Sequence, residues 1–331
     1  MGMDNLQSLL GIELPILQGA MGNLSSSRLA AAVCEAGGLG VIGVGTMPLE
    51  EIRRRIAQVR ALTKHSNRLG LNLPIQVHPD PAGVLRLAQQ EGIQTITLSA
   101  GNPQPYIAQL QAWGIKALVM VSTLAQAQKA EAAGANGLIV SGIEAAGMLS
   151  PQASPLLSIL PLVTSQVSIP VIAAGGISDG RGLAAALILG ASGVQLGTRL
   201  VATEEMEAHS NYKEALCKAS DPEETLVVGI KWGSPRRLLK TVYAQRLLEQ
   251  EQQQRDEQQQ QGEQQLLHRE KWLEWVSEEQ HLRGALHGDL AEGMTLAGTS
   301  VGLIKEIQPV QVIFRNMLAG AQQVIPHLFQ K

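Results

Sequence analysis

Eight short apolar segments recur along the first two thirds of the chain and constrain its fold more than any other feature. Their starts are 21 to 33 residues apart, and four to eight apolar residues without polar alternation are typical of strands buried on both faces. Helical patterns lie between them, and several end at glycine, the usual helix stop. The segments begin near Pro15, Leu39, Leu69, Thr95, Lys116, Gly137, Pro170 and Gly193. Eight successive strand–helix units predict a closed (β/α)8 barrel, the TIM-barrel fold, with an open doubly wound sheet as the alternative.

The last two predicted strands each stop at glycine. Residues 171–177 read VIAAGGI, and the Gly175-Gly176 pair precedes Ser178-Asp179, which has the composition of a helix N-cap. Residues 193–198 read GVQLGT. Glycine lets the backbone approach a ligand closely, and a helix start offers free N–H groups to an anion. Because barrels often bind phosphate after strands 7 and 8, these turns predict a phosphate site. The alternative is a plain tight turn.

Composition narrows the class of protein. The 331 residues are 45% hydrophobic, which suits one large barrel core, and the net charge of −3 leaves no basic stripe for nucleic acid. No apolar run reaches the roughly 18 residues of a membrane span, and the first residues lack the pattern of a secretion signal. Cys34 and Cys217 have no neighbouring cysteine in sequence, which favours a reducing compartment. We therefore expect a cytoplasmic protein that binds neither nucleic acid nor membrane, with Cys34 as a small buried hydrophobe.

The strand–helix pattern breaks after residue 203. We predict a barrel core over residues 1–213, a helical insertion over 214–287, and a return to the barrel with a C-terminal helix over 288–331 that stops before Pro326. Between residues 204 and 296 the only strand-like run is 225–230. Residues 250–265 contain ten glutamines in sixteen positions. We interpret this stretch as an exposed polar helix or a disordered insertion without a site, and an interaction arm is the alternative.

The predicted carboxyl ends of the strands, where barrels place reactive groups, are rich in glycine, amides and hydroxyls. None carries a histidine or cysteine, and no cluster has the spacing of metal ligands, so we expect no metal site. Such a rim suits hydrogen bonding to a flat polar cofactor, which would supply the chemistry that the side chains lack. The segments are QGAMG at 18–22, GVG at 43–45, Asn72, SAGNP at 99–103, VS at 121–122 and SGIEAAGM at 141–148.

In these segments the chain resembles the flavin-dependent nitronate monooxygenases, formerly called 2-nitropropane dioxygenases, and the related flavin-containing enoyl-acyl-carrier-protein reductases. The resemblance covers residues 12–213 and resumes at 288–304. Its marks are PILQGAM at 15–21, AGGLGVIG at 36–43, GLN at 70–72, GNP at 101–103, IPVIAAGGISDGRG at 169–182, GVQLGTRLVATEE at 193–205 and GDLAEGMTLAGTSVGLI at 288–304.

The resemblance implies that the chain binds FMN. By position, Ala20, Met21 and Gly22 would lie along the isoalloxazine ring, and Asn72 would hydrogen-bond the flavin. The phosphate and ribityl chain would be held by Gly175, Gly176, Gln195, Gly197 and Thr198, and Ser141, Gly147 and Leu196 complete the implied cofactor-binding set. For two of these residues a purely structural role is the alternative: Asn72 as a capping or turn residue, and Gln195 as a polar residue of the barrel interior.

The chain departs from the family after the sixth strand. The family has Gly-Gly-His there, with the histidine over the flavin, whereas this chain has Ala146-Gly147-Met148. Methionine has no proton to exchange, which excludes general base catalysis at this position. Glu144 and His209 are the substitute candidates. A loop carboxylate is more often structural, and the acidic neighbours of His209 equally suggest an ion pair, so the catalytic residue stays unknown.

Three functions follow from the resemblance. The first is oxidation of alkyl nitronates with O2 to a carbonyl compound and nitrite. The second is enoyl-acyl-carrier-protein reduction with NAD(P)H as the reductant, which GNP at 101–103 and ATEE at 202–205 slightly favour. The third is a flavin-binding protein of low activity, suggested by Met148. The substrate is in each enzymatic case a small molecule, a nitronate or an enoyl thioester, and a homodimer is left open. A dehydrogenase of the inosine-monophosphate type is disfavoured because residues 142–151 contain no cysteine.

Overall fold

The structure is a computed structural model that describes residues 2–256 and 271–326. Eight strands form the main sheet: β1 (Ile16–Gln18), β2 (Gly40–Gly43), β3 (Leu69–Pro74), β4 (Thr95–Ser99), β5 (Lys116–Val121), β6 (Gly137–Ser141), β8 (Val171–Ala174) and β9 (Gly193–Leu196). Three more form a second sheet: β7 (Gly147–Met148), β10 (Thr225–Val228) and β11 (Arg236–Leu239).

Helices follow the strands of the main sheet and continue beyond it. They are α1 (Gly2–Leu10), α2 (Ser27–Glu35), α3 (Leu49–Leu62), α4 (Pro81–Gln90), α5 (Gln104–Ala112), α6 (Leu124–Ala132), α7 (Leu156–Thr164), α8 (Gly180–Ile188), α9 (Thr198–Val201), α10 (Ser210–Lys218), α11 (Val242–Asp256), α12 (Glu278–His287) and α13 (Val310–Val324). Helix α13 ends before Pro326, as the sequence predicts, and the predicted N-cap Asp179 accepts hydrogen bonds from the backbone of Arg181 and Gly182.

The main sheet is a parallel barrel with the order β1-β9-β8-β6-β5-β4-β3-β2. It closes between β1 and β2, where the Gln18 N–H donates to the Leu39 carbonyl at 2.9 Å and the Leu39 N–H donates to the Ile16 carbonyl at 3.1 Å. The predicted (β/α)8 barrel is confirmed. The alternative open sheet is wrong, because the edges of β1 and β2 bond to each other.

Two apolar layers hold the barrel together. The larger lies between the strands and the surrounding helices. The smaller contains Leu6 of α1, which packs with Leu17, Leu39, Ile139 and Ile172 of the strands and is fully buried. Helix α1, which the strand–helix pattern does not predict, belongs to the core because its apolar side chains continue the barrel's own apolar cluster.

The segment between α10 and α12 is not purely helical. Strands β10 and β11 pair as an antiparallel hairpin, and β11 pairs in turn with β7. The prediction of a single strand-like run is therefore wrong: β11 begins with Arg236-Arg237, and two charged residues conceal it from a hydrophobicity pattern. Part of the glutamine-rich stretch lies in α11, and its residues beyond 256 lie outside the described residues. In the described chain, no helix is long and apolar enough to cross a membrane.

Candidate active site

A cavity of about 630 Å³ opens at the carboxyl ends of the barrel strands. Its volume lies in the range of small-molecule and cofactor sites. Eleven of the twelve predicted cofactor-binding residues line it: Ala20, Met21, Gly22, Asn72, Ser141, Gly147, Gly175, Gly176, Gln195, Gly197 and Thr198. Leu196 does not. Its side chain is fully buried in the core, and its carbonyl accepts a hydrogen bond from the Gly19 N–H at 2.7 Å.

The turns after β8 and β9 form one corner of this cavity. Gly175 and Gly176 have φ of +107° and +71°, which L side chains rarely adopt, and a Cβ on Gly175 would approach the Ala145 nitrogen at 3.0 Å. The N–H groups of Gly175, Gly176 and Gly197 donate to no acceptor in the described chain. Three free backbone donors on adjacent turns form a site suited to a phosphate. A mononucleotide such as FMN therefore fits the residues present.

The segment before α13 closes this corner. The Gly298 N–H donates to the Thr198 hydroxyl at 2.9 Å, and the Thr299 N–H donates to the Glu144 carbonyl at 3.0 Å. A Cβ on Gly298 would lie 2.7 Å from that same carbonyl, so only glycine permits the approach. Residues of the 288–304 segment thus form part of the cavity wall, to which Leu296, Gly298 and Ser300 contribute.

Another part of the wall comes from β3 and β4. Asn72 is 6% exposed, and its side-chain amide donates to the Ser99 hydroxyl at 3.1 Å and weakly to the Thr97 carbonyl at 3.3 Å. These bonds fix the orientation of the side chain. Ala100, next to Ser99 and also on the cavity wall, has φ of +48°. Backbone strain of this kind is common where a structure holds a functional loop in place.

The two candidate acid–base residues both accept hydrogen bonds from backbone N–H groups at helix starts. Glu144 lines the cavity, and its carboxylate accepts from the Leu156 N–H at 3.0 and 3.1 Å, at the start of α7. His209 is absent from the cavity wall. Its ring Nδ1 accepts from the Asn211 N–H at 3.1 Å and caps α10. The contacts thus support the structural alternative for both residues, and for His209 the partner is the helix start rather than an ion pair.

Met148 lies on the cavity wall, 46% exposed, within strand β7. Its Cα partner across the antiparallel ladder is Arg236 of β11. Directly opposed residues of an antiparallel pair place their side chains on the same face of the sheet, and Arg236 also lines the cavity. A methionine and an arginine therefore lie side by side on the cavity wall, with Met148 at the position where the resemblance implies a histidine.

Sequence reasoning missed a polar group that α12 contributes to the cavity. Glu278 and His281 both line it, and the Glu278 carboxylate accepts from the Asn23 N–H at 2.6 Å, just after the Met21-Gly22 turn. His281 is 3% exposed, with Nδ1 3.8 Å from the Glu278 carboxylate. Burial opposes ionisation of Glu278, but the hydrogen bond and charge of His281, the Asn23 N–H and Arg236 outweigh it and lower its pKa. The Glu-x-x-His spacing within an amphipathic helix was the signal that could have been used.

Arg236 itself has no partner in the described residues. No carboxylate there lies within ion-pair distance of its guanidinium, and its Nε is buried without an acceptor. Burial lowers the pKa of Arg236, and the Glu278 charge partly opposes that shift. An unpaired cation on a cavity wall is unfavourable unless water or a ligand compensates it.

Comparisons with known proteins relate this chain to one group of oxidoreductases. The family described as nitronate monooxygenase matches residues 4–320. A relative from Mycobacterium tuberculosis, named as a hydroxy-methyl-oxo-octahydroindene-carboxyl-CoA dehydrogenase, is 36% identical over 73% of this chain and 67% of its own length. Its Rhodococcus jostii counterpart is 35% identical over 71% of this chain and 65% of its own. A nitronate monooxygenase from Paraburkholderia phytofirmans is 34% identical over 69% of this chain and 74% of its own.

Solved structures extend the similarity to the whole chain. FabK from Thermotoga maritima has a TM-score of 0.87 and 37% identity, and the match covers 98% of this chain and 97% of FabK. A nitroalkane oxidase from Streptomyces ansochromogenes has a TM-score of 0.78 and 26% identity, covering 98% and 99% of the two chains. The match to FabK therefore includes the extension that carries Arg236 and His281.

Proposed function

Because the chain belongs to the nitronate monooxygenase family, whose members are oxidoreductases, we propose that it is an FMN-dependent enzyme that oxidises an alkyl nitronate with O2 to a carbonyl compound and nitrite. FMN, when bound, would supply the electron transfer for which the side chains of the cavity are unsuited. The observation that carries the proposal is the convergence of eleven implied FMN-binding residues on one cavity.

The chain's own residues would bind and orient. The free N–H groups of Gly175, Gly176 and Gly197 would hold the phosphate of the cofactor, and Gly298 closes that corner through its hydrogen bond to Thr198. Asn72, already fixed by Ser99, would present its amide oxygen to the flavin ring. These interactions favour a mononucleotide over a dinucleotide, because the described phosphate corner provides one set of three donors.

Met148 determines the form of the substrate. Its side chain cannot act as a base, and the Glu144 carboxylate is occupied by the Leu156 N–H. Removing a proton from a neutral nitroalkane would therefore be slow, since general base catalysis typically contributes about 10²–10⁴-fold. A nitronate is already an anion and needs no such step. The enzyme would thus act on nitronates in preference to neutral nitroalkanes.

A second candidate is an NAD(P)H-dependent enoyl-acyl-carrier-protein reductase, which the 37% identity to FabK over nearly the full chain favours. Hydride transfer would not require a base at residue 148. A flavin-binding protein of low activity is the third candidate, motivated by the same residue. Anaerobic titration of the purified protein with NADPH and NADH, followed by flavin absorbance, separates the three.

In that experiment, a bound flavin that ignores both nucleotides but supports O2 consumption with propane-2-nitronate would support the proposal. Rapid bleaching by a nucleotide, with no nitronate turnover, would replace it with the reductase. A bound flavin inactive with nitronate, nucleotides and enoyl thioester would leave the low-activity binder. Protein that contains no flavin and takes up none when FMN is added would overturn all three.

A further inference from the structure

We propose that Arg236 is the residue that recognises the substrate in this cavity, by binding a planar anionic group with two oxygens, a nitronate or a carboxylate, beside Met148. The inference deepens the proposed function and rests on it for the position of the substrate next to the cofactor. The residue lies outside the barrel strands and outside the sequence motifs that mark the family.

Arg236 differs from the other arginines of the described chain that are buried or partly buried. Each of those has an acceptor: Arg55 binds Glu51, Arg68 binds Glu13, Arg246 binds Glu292, Arg199 donates to the carbonyls of Ala202 and Glu306, and Arg237 donates to the carbonyl of Ile143 and the hydroxyl of Thr225. Arg236 alone among them has no acceptor for any of its nitrogens in the described residues, whereas Arg68 and Arg199, whose Nε atoms are also buried without one, bind acceptors through their other nitrogens. An anion arriving in the cavity would compensate this charge.

The neighbouring carboxylate does not neutralise Arg236 by contact. Glu278 lies close enough to interact through its charge, but it lies beyond ion-pair distance and its oxygen is held by the Asn23 N–H at 2.6 Å. His281 also faces Glu278, at 3.8 Å. Glu278 is therefore committed to the loop after β1, and the guanidinium keeps its donors for a ligand.

The guanidinium of Arg236 also has the chemistry and the position that a planar anion requires. A guanidinium presents parallel N–H donors that match the two oxygens of a carboxylate or nitronate. The phosphate donors lie on the turns after β8 and β9, whereas Arg236 projects from β11 beside Met148. Cofactor phosphate and substrate anion would thus have separate donors within one cavity. The apolar Met148 side chain, half-exposed next to the cation, would contact the carbon part of the substrate.

The test uses equilibrium binding, which does not depend on turnover. Isothermal titration calorimetry would compare two unreactive planar anions, isobutyrate and propionate, with the neutral isobutyramide and inorganic phosphate on the purified full chain at low ionic strength. We expect both planar anions to bind more tightly than the amide. Arg236→Gln should weaken both anions by about 10- to 100-fold, as expected for loss of a charge-assisted hydrogen bond, and leave the amide unchanged. Arg236→Lys should be intermediate.

The matched control is Arg246→Gln, which makes the same chemical change in α11 at a residue paired with Glu292 and remote from the cavity wall. It should bind all four compounds like the wild type. A second variant keeps Arg236: Met148→Glu places a carboxylate directly opposite it, and this internal anion should abolish binding of both planar anions. It serves as the test if Arg236→Gln does not fold.

Three results would overturn the assignment: anions and amide binding equally to the wild type, anion binding that survives Arg236→Gln or Met148→Glu, or phosphate binding that Arg236→Gln weakens as much as it weakens the planar anions. These outcomes are separable from failure of the proposed function. A protein without flavin that still selects anions through Arg236 would refute the flavoenzyme and keep this site. A flavoenzyme whose anion selectivity ignores Arg236 would do the reverse.

Discussion

Arg236 and Met148 are Cα partners across β11 and β7, and both side chains line the cavity. The two-residue strand β7 exists because the hairpin of β10 and β11 pairs with the loop after β6. That pairing holds residue 148 in an extended conformation at the cavity wall. An ionisable side chain introduced at 148 would therefore be adjacent to a partly buried cation, and its properties would reflect that neighbour.

Met148→His should create activity toward neutral nitroalkanes, because it restores a base where the family has one. We expect a gain of at least about tenfold, below the usual range for general base catalysis because the new base has no evolved surroundings. The Arg236 charge would lower the pKa of the new imidazole below its usual value of about 6.5. The rate should therefore reach its plateau below neutral pH, as measured by initial O2 consumption.

Met148→Gln is the control for this variant, since it is polar but cannot act as a base. It should remain as slow as the wild type with neutral nitroalkanes. If Met148→His and Met148→Gln show equal rates, or if the histidine variant has a flat profile from about pH 5 to 9, then residue 148 does not have access to the reacting carbon.

Gly176→Asp should abolish FMN retention. The substitution brings a charge and a side chain to a turn with φ of +71°, among the donors assigned to the phosphate. Gly114→Asp is a close control: Gly114 also has φ of +71°, no atom lies within 4 Å of a Cβ built on it, and it does not line the cavity. Flavin absorbance per protein should be lost in the first variant and kept in the second. Equal flavin content in both variants would show that the cofactor phosphate does not bind at this corner.

The barrel could be predicted because each of its strands is marked by residues that are adjacent in the sequence. Each strand is a continuous apolar run, and five of the eight begin at the predicted residue, as with Lys116 and Gly193. The other three, β1, β2 and β8, begin one residue later than predicted. Glycines with positive φ, such as Gly175, mark the turns in the sequence itself. The FMN-binding set was predicted through the family resemblance, and the cavity brings all but Leu196 together.

The second half of the site was not predictable in the same way. Arg236, Glu278 and His281 follow the barrel in sequence and reach the cavity only through tertiary contacts, the pairing of β11 with β7 and the bond from Asn23 to Glu278. Two adjacent arginines do not resemble a strand. The Glu-x-x-His spacing places Glu278 and His281 on one helix face, but it does not show which distant loop that face contacts. Hydrophobic periodicity predicts where strands and helices lie along the chain. It does not indicate which polar residues of the C-terminal extension line the cavity.

Cys34 should be unreactive toward thiol reagents in the folded protein. It is fully buried, and burial raises the pKa of its thiol to about 12, so almost no thiolate exists at pH about 8. Cys217 is partly exposed, and burial raises its pKa as well. With a chromogenic disulfide at that pH, we expect slow labelling of Cys217 alone and rapid labelling of both after denaturation. Release of two equivalents from the native protein would contradict the burial of Cys34.

Glu278→Gln should destabilise the protein in a pH-dependent manner. Burial raises the cost of the Glu278 charge, but the interactions with His281, Asn23 and Arg236 dominate, and its pKa in the folded state lies below the ordinary value of 4.5. A carboxyl group with a depressed folded-state pKa stabilises the protein fully above its unfolded pKa, and the contribution is lost as the pH falls through the folded pKa. We expect Glu278→Gln to be less stable by about 1–3 kcal/mol near neutral pH, with the difference shrinking below about pH 4.5.

Glu279→Gln is the control for this variant, because Glu279 is the exposed neighbouring residue in the same helix turn. It should follow the wild type at every pH. Urea denaturation of the three proteins at about pH 7 and about pH 4, on either side of the ordinary glutamate pKa, measures the difference. A Glu278→Gln deficit of the same size at both pH values would show that Glu278 is not held ionised by the groups around it, since only an ionised carboxylate loses its contribution on protonation.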